Sequence, residues 1–319
     1  MQIFLVSRSG DSVRRITHDH LDHAPTWSED GKLIMDEVHV RGRDFIDVLD
    51  RRARLLHRIS VGADGLAADA DWSPDSRRIA FPVIYPNRKT GADDAKLVVV
   101  DVKTGDRRTI AHEVTEHPQW MPDGKSLLFA HGDVVGVCPG VTCDTRYQIR
   151  WIRADGTGER VVVRNTQSGP APSPDGRRFL FFREIGEGSE FTLWTARLDG
   201  THEVRWSEPL FLPEAYWTPP DGRRIRVLYA GRNHGHAVIF NGPGRWRALP
   251  EAIHWAPWDW TPDAKLIAWA DGNRIRRIHP DGGGLRVLAR FRSDGGCETL
   301  EWSPDGRELM LACAKATED

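Results

Sequence analysis

The sequence predicts an all-β protein made by repeating one four-stranded unit. Three observations carry this expectation: a turn motif that recurs seven times, a spacing of about 45 residues, and a β-rich apolar run after each copy. The copies are Trp27-Ser28-Glu29-Asp30-Gly31, Trp72-Ser73-Pro74-Asp75-Ser76, Trp120-Met121-Pro122-Asp123-Gly124, Pro172-Ser173-Pro174-Asp175-Gly176, Trp217-Thr218-Pro219-Pro220-Asp221-Gly222, Trp260-Thr261-Pro262-Asp263-Ala264 and Trp302-Ser303-Pro304-Asp305-Gly306. Their first residues are 45, 48, 52, 45, 43 and 42 positions apart. That is the period of one blade of a β-propeller, so the chain is expected to be a seven-bladed β-propeller of four-stranded blades.

Each element follows from local chemistry. In Ser-Pro-Asp-Gly, Ser suits the first position of a type I turn, Pro fixes φ at the second and Gly suits the fourth, so each copy reads as a tight hairpin. The runs that follow, such as Arg78-Ile79-Ala80-Phe81, Ser126-Leu127-Leu128-Phe129 and Lys265-Leu266-Ile267-Ala268-Trp269, read as strands buried between neighbouring blades. The Trp before each turn supplies a large packing surface. A second hairpin follows most copies, at Thr104-Gly105, Asp155-Gly156, Asp199-Gly200 and Asp281-Gly282. The last copy is followed by only one more strand, Glu308 to Ala312, whereas Ile3 to Ile16 form a hairpin before the first copy. The N-terminal strands are therefore expected to complete the C-terminal blade, which removes a long exposed edge.

These Trp-Ser-Pro-Asp-Gly copies resemble the repeats of TolB-like propellers, which also occur in the propeller domains of prolyl-oligopeptidase-type peptidases. The resemblance runs along essentially the whole chain and implies fold more than function. TolB itself looks like a six-bladed propeller behind an N-terminal α/β domain and a secretion signal, so seven copies without those additions depart from its pattern. The resemblance does not transfer TolB's role in periplasmic protein binding.

The repeat occupies all 319 residues, which argues for a single domain, residues 1–319. The opening Met1 to Arg8 has no basic n-region, and no apolar run approaches the length of a membrane span, so a cytoplasmic protein without membrane association is expected. A net charge of −2 with 28% charged residues intersperses acids and bases and argues against nucleic acid as a partner. The pairs Arg77-Arg78, Arg177-Arg178 and Arg223-Arg224 read as a solvated rim. Among the four cysteines, Cys138 and Cys143 share a loop and are expected as free thiols. Counting from the turn at Ser303 to Gly306 places Cys297 opposite Ala312, so a bridge to Cys313 requires a bulge.

Gly-x-Ser-x-Gly, His-Glu-x-x-His and Gly-x-Gly-x-x-Gly are absent, and Gly124-Lys125-Ser126 lacks the first Gly of a phosphate loop. Any site must then be assembled from several blades. Residues three to six positions before each Trp should surround the mouth of the central channel, which selects Asp22, His23, Asp69, Glu116, His117, Glu214, His254, Trp255 and Glu298. Asp71, Asp259 and Glu301, one residue before their Trp, are expected deeper along it. His23, His117 and His254 are the candidates for one divalent metal in the channel, since imidazole is a common ligand. Asp22, Asp69, Glu116, Glu214, Trp255 and Glu298 are candidate ligand-binding residues. The leading expectation is a non-catalytic module binding a peptide, a protein loop or a small polar ligand at the channel mouth. The alternatives are a metal-assisted lyase or hydrolase acting on a carbohydrate or small polar metabolite, and a structural interaction scaffold.

Overall fold

A computed structural model describes residues 1–17, 22–62, 65–67, 69–85, 94–112, 116–135, 144–167, 169–186, 190–219, 221–230, 235–249, 257–292 and 296–314. Strands in these segments form six antiparallel sheets and no helix. The Trp27 copy joins Asp22–Trp27 to Leu33–Val40, followed by Arg43–Asp50 and Leu55–Ser60 in spatial order. The Trp72 sheet is built around Arg78–Tyr85, with Asp94–Asp101 and Arg107–His112 on one side and the short Leu66–Ala67 and Asp71–Trp72 on the other. Glu116–Trp120, Ser126–Val135, Asp144–Arg153 and Arg160–Thr166 form the Trp120 sheet, and Trp258–Trp260, Ile267–Asp271, Arg274–Ile278 and Arg286–Arg290 form the Trp260 sheet.

The fourth and fifth repeats depart from separate four-stranded units and share one eight-stranded sheet. The outer strand of the fourth repeat, Val204–Arg205, is only two residues long. Glu190–Arg197 consequently has a free edge at its start, where Glu190 and Phe191 pair with Phe211 and Leu210 of the next repeat.

In the last sheet the order is Val13–Arg15, Gln2–Ser7, Glu308–Cys313, Cys297–Trp302. The N-terminal strand thus pairs with the C-terminal one, from Gln2 opposite Cys313 to Ser7 opposite Glu308. Alternation explains why Gln2–Val6 is buried throughout: Ile3 and Leu5 pack with Trp27, Ile34 and Leu49, while Phe4 and Val6 pack with Ala268, Ile275 and Leu288. A strand between two sheets needs apolar residues on both faces. Cys297 and Cys313 form a disulfide, and the register slips between Cys297 and Thr299 to bring Cys313 opposite Cys297. This is the bulge the strand count required. Cys138 and Cys143 lie outside the described residues, as does most of each long loop after Tyr85 and Val135.

The turn motif has a common hydrogen-bond scheme. The hydroxyls of Ser28, Ser73, Ser173, Thr261 and Ser303 donate to the Asp two residues on at 2.6–2.9 Å. Each accepts the backbone N–H five residues on at 2.9–3.1 Å. The serines are fully buried, so the hydroxyl is a relay that satisfies the strand end while fixing the Asp. The fourth turn residue has positive φ, which Gly accepts freely and Ser76 (φ 58°) and Ala264 (φ 54°) adopt without it.

The apolar core lies between sheets. Trp72, Ile79 and Phe81 pack with Met35, Ile46 and Val48 of the preceding sheet, and Trp120, Leu127 and Phe129 with Ala80, Leu97 and Val99. The arginines expected on a solvated rim divide. Arg77 and Arg177 are exposed, but the guanidinium of Arg78 lies 4.5 Å over the Trp120 ring and donates to the Gly124 carbonyl at 2.7 Å. That of Arg178 lies 5.2 Å over the Trp217 ring. Their guanidinium groups cover the next Trp, a role that counting charges does not reveal.

Candidate functional site

The inner strands of successive sheets are tied together by acids that precede the Trp. Asp71 Oδ2 accepts the backbone N–H of Trp120 at 2.6 Å, Asp259 Oδ2 that of Trp302 at 2.9 Å, and Glu301 Oε2 that of Trp27 at 3.0 Å. Each carboxylate reaches from one sheet to the next. The three residues expected deeper along the inner strands are therefore latches between repeats.

Beside them lies a cavity of about 1040 Å³ bounded by the inner strands of the Trp217, Trp260, Trp302 and Trp27 repeats. Glu214 and Glu298 line it, as do Glu29, Asp259 and Glu301. Burial is the main cause that pushes the Glu301 carboxyl well above its ordinary range, reinforced by the neighbouring Asp259, opposed by the Trp27 N–H and aided further by Glu29 and Asp71. Asp71 is raised to about 7 by burial, opposed by the Trp120 N–H and aided by Glu29. Glu29 itself is raised by burial. Among the described residues the one basic side chain in the wall is Arg226, which donates to Asp259 at 2.6 Å and lies 4.7 Å over the Tyr216 ring and 5.3 Å from that of Trp258. In the same wall the indole N–H groups of Trp27, Trp260 and Trp302 have no protein acceptor, although these side chains are only 2–3% exposed.

A second group of titratable side chains lies at the Trp72 and Trp120 repeats. His117 Nδ1 is 3.2 Å from Asp69 Oδ2. The two residues hold the same place, three before their Trp, and both have left-handed backbone (φ 51° and 53°). The equivalent position in the next repeat is Gly169, where a Cβ would come within 2.4 Å of the His117 Cβ, so a side chain there would displace the imidazole. Glu37 lies nearby and accepts the Ala70 N–H at 2.8 Å. Burial raises its carboxyl to about 7 against that bond, with Asp69 and Asp44 adding to the rise.

Of the candidate residues, the structure brings Glu214 and Glu298 into one cavity and Asp69 and His117 into one pair. Asp22, His23 and Glu116 are placed as strand backbone, with their side chains outside the description, and His254 and Trp255 lie outside the described residues. Among the described residues no three His, Cys, Asp or Glu side chains gather as a metal centre would require. Sequence reasoning missed Glu29, Glu37, Arg226 and Tyr216, and it favours packing between blades over ligand stacking for Trp258. Glu29 had a signal: it is the only copy of the turn motif without Pro at that position, and it lies in the cavity wall beside Pro219, Pro262 and Pro304.

No family model matches the chain. An uncharacterized protein of Agrobacterium fabrum is 23% identical over 307 residues, spanning 91% of this chain and 83% of its own length. The Tol-Pal system protein TolB of Pelagibacter ubique is 44% identical over 57 residues, 16% of this chain and 13% of that protein. Among solved structures, an oligogalacturonate lyase in complex with manganese superimposes with a TM-score of 0.72 at 14% identity, over 99% of this chain and 97% of its own. A putative TolB from Agrobacterium tumefaciens superimposes with a TM-score of 0.54 at 20% identity, over 97% and 96%. At such identities the structural likeness speaks for the fold alone. Together these relatives and neighbours support a TolB-like β-propeller fold for the chain.

Proposed function

We propose that the chain is a stand-alone ring of seven four-stranded blades, the eight-stranded sheet counting as two, closed by its N-terminal strands, and that it acts as a non-catalytic binding module. The observation that carries the functional reading is the cavity of about 1040 Å³, in which carboxylates, aromatic rings and an arginine converge from four repeats. A concave site of this size with a few converging polar groups is the usual form of a ligand pocket. Its occupant is a peptide, a protein loop or a small polar ligand, with Glu214 and Glu298 among the contacts. Titration calorimetry against a panel of short peptides, repeated with Glu298→Ala, tests it. Saturable binding weakened by the substitution is expected, and binding indifferent to it would contradict the site.

A second reading is a metal-assisted lyase or hydrolase acting on a carbohydrate or small polar metabolite. It is favoured by the His117–Asp69 pair, a histidine oriented by a carboxylate as metal-ligating and acid–base histidines are, together with a structural neighbour that is a manganese-bound oligogalacturonate lyase. Turnover of oligogalacturonate in the presence of manganese, lost in His117→Ala, would replace the binding-module reading with this one.

A further inference from the structure

If the cavity is the binding site, its wall also selects the charge of its guest. Among the described residues, five carboxyl side chains, Glu29, Glu214, Asp259, Glu298 and Glu301, face one cation, Arg226, and Asp259 already neutralises that cation. Arg226 also shows how the wall holds a guanidinium: a carboxylate oxygen accepts from it at 2.6 Å, with the rings of Tyr216 and Trp258 at 4.7 and 5.3 Å. The protein's own side chain is thus a stand-in for an incoming one. Tyr216, Glu214 and Glu298 remain exposed for a second such contact.

We infer that the cavity receives a basic peptide segment, an arginine or lysine side chain lying between Glu214, Glu298 and the Tyr216 ring. This inference rests on the binding-module reading and adds the class of ligand to it. It also separates this chain from its structural neighbour, because a wall of carboxylates repels a polyuronate. The guest's charge is coupled to protons. Glu301 is faced by Asp259, Glu29 and Asp71 and by the Trp27 N–H, with Arg226 beyond Asp259. A cation favours the ionised carboxylate, so binding should release protons and tighten as pH rises.

The test is titration calorimetry with three probes: the end-capped tripeptides Gly-Arg-Gly and Gly-Glu-Gly, and digalacturonate. The Arg peptide is expected to bind alone, to weaken as salt is raised, and to lose about tenfold in affinity in Glu214→Gln and in Glu298→Gln, about one such contact's worth. Both substitutions are at exposed side chains, and an unchanged melting temperature confirms that the fold is kept. Binding of digalacturonate or the Glu peptide in place of the Arg peptide overturns the cationic class and leaves the binding module standing. Absence of saturable binding by all three overturns both.

Discussion

Asp71 and Asp75 are four residues apart in one copy of the repeat, and the fold treats them in opposite ways. Asp75 is on the turn, where burial is outweighed by the Ser73 hydroxyl, the Arg77 N–H and the two arginines, and its carboxyl is held below the ordinary range. Asp71 points from the inner strand to the next sheet, has the Trp120 N–H as its main compensation, and is pushed to about 7. Glu301 and Asp305 repeat the contrast. Asp263 is its extreme on the turn side: burial is overcome by Thr261, Arg8 and the Lys265 N–H, and the carboxyl falls to about 2. The lesson is that a carboxylate stabilises this fold where several donors meet it in water, and opposes it where acids from several repeats converge beside a cavity.

The most damaging change removes what holds both regions in place. Trp72→Ala should cost roughly 3–5 kcal/mol, since the ring is buried against the preceding sheet, and denaturant unfolding measures it. Trp72 lies between Asp71 and the turn, so its loss should blur the contrast as well as weaken the fold.

Asp71→Asn comes next and has the opposite sign. Asparagine can still accept the Trp120 N–H but carries no charge, so at pH 8 the variant should be more stable than the parent by about 2 kcal/mol, an advantage that shrinks as pH falls toward 4. The sign follows from linkage. A folded-state pKa raised to about 7 means that the folded protein binds more protons than the unfolded chain between roughly pH 4 and 7. Stability from this group is therefore lost as pH rises through that window. Asp263 behaves inversely: its contribution is present above the unfolded value and is lost as pH falls toward 2. Melting temperature should then peak at mildly acidic pH and fall on both sides.

The smallest expected effect is that of Asp175→Asn, a loss of about 0.5–1 kcal/mol at pH 7. Its bonds from the Ser173 hydroxyl and the Arg177 N–H weaken on an exposed turn.

Most of the fold was legible because a period of one blade is a global signal: each Trp, each turn and the partner strand of the N-terminus follow from counting. The union of the fourth and fifth repeats was not, because it depends on how short Val204–Arg205 is, a matter of pairing energy at Glu190 and Phe191. Glu214 and Glu298 could be placed by their distance from a Trp, and Asp69 and His117 likewise. Arg226, Tyr216 and Trp258 could not, since they meet across two sheets and carry no local spacing. Arg78 and Arg178 looked like rim charges because sequence gives the charge and hides the ring of the next repeat over which the guanidinium lies.

The opposition between the two sets of carboxyls is tested most directly by following individual side-chain carboxyl carbons by NMR from pH 2 to 9. Asp71 should titrate near 7 and Glu301 well above an ordinary glutamate, while Asp75, Asp175 and Asp305 titrate below an ordinary aspartate and Asp263 near 2. If Asp71 and Glu301 instead titrated with the turn aspartates, the inner strands would not bring these acids together as described, and the account of both the latches and the cavity would be wrong.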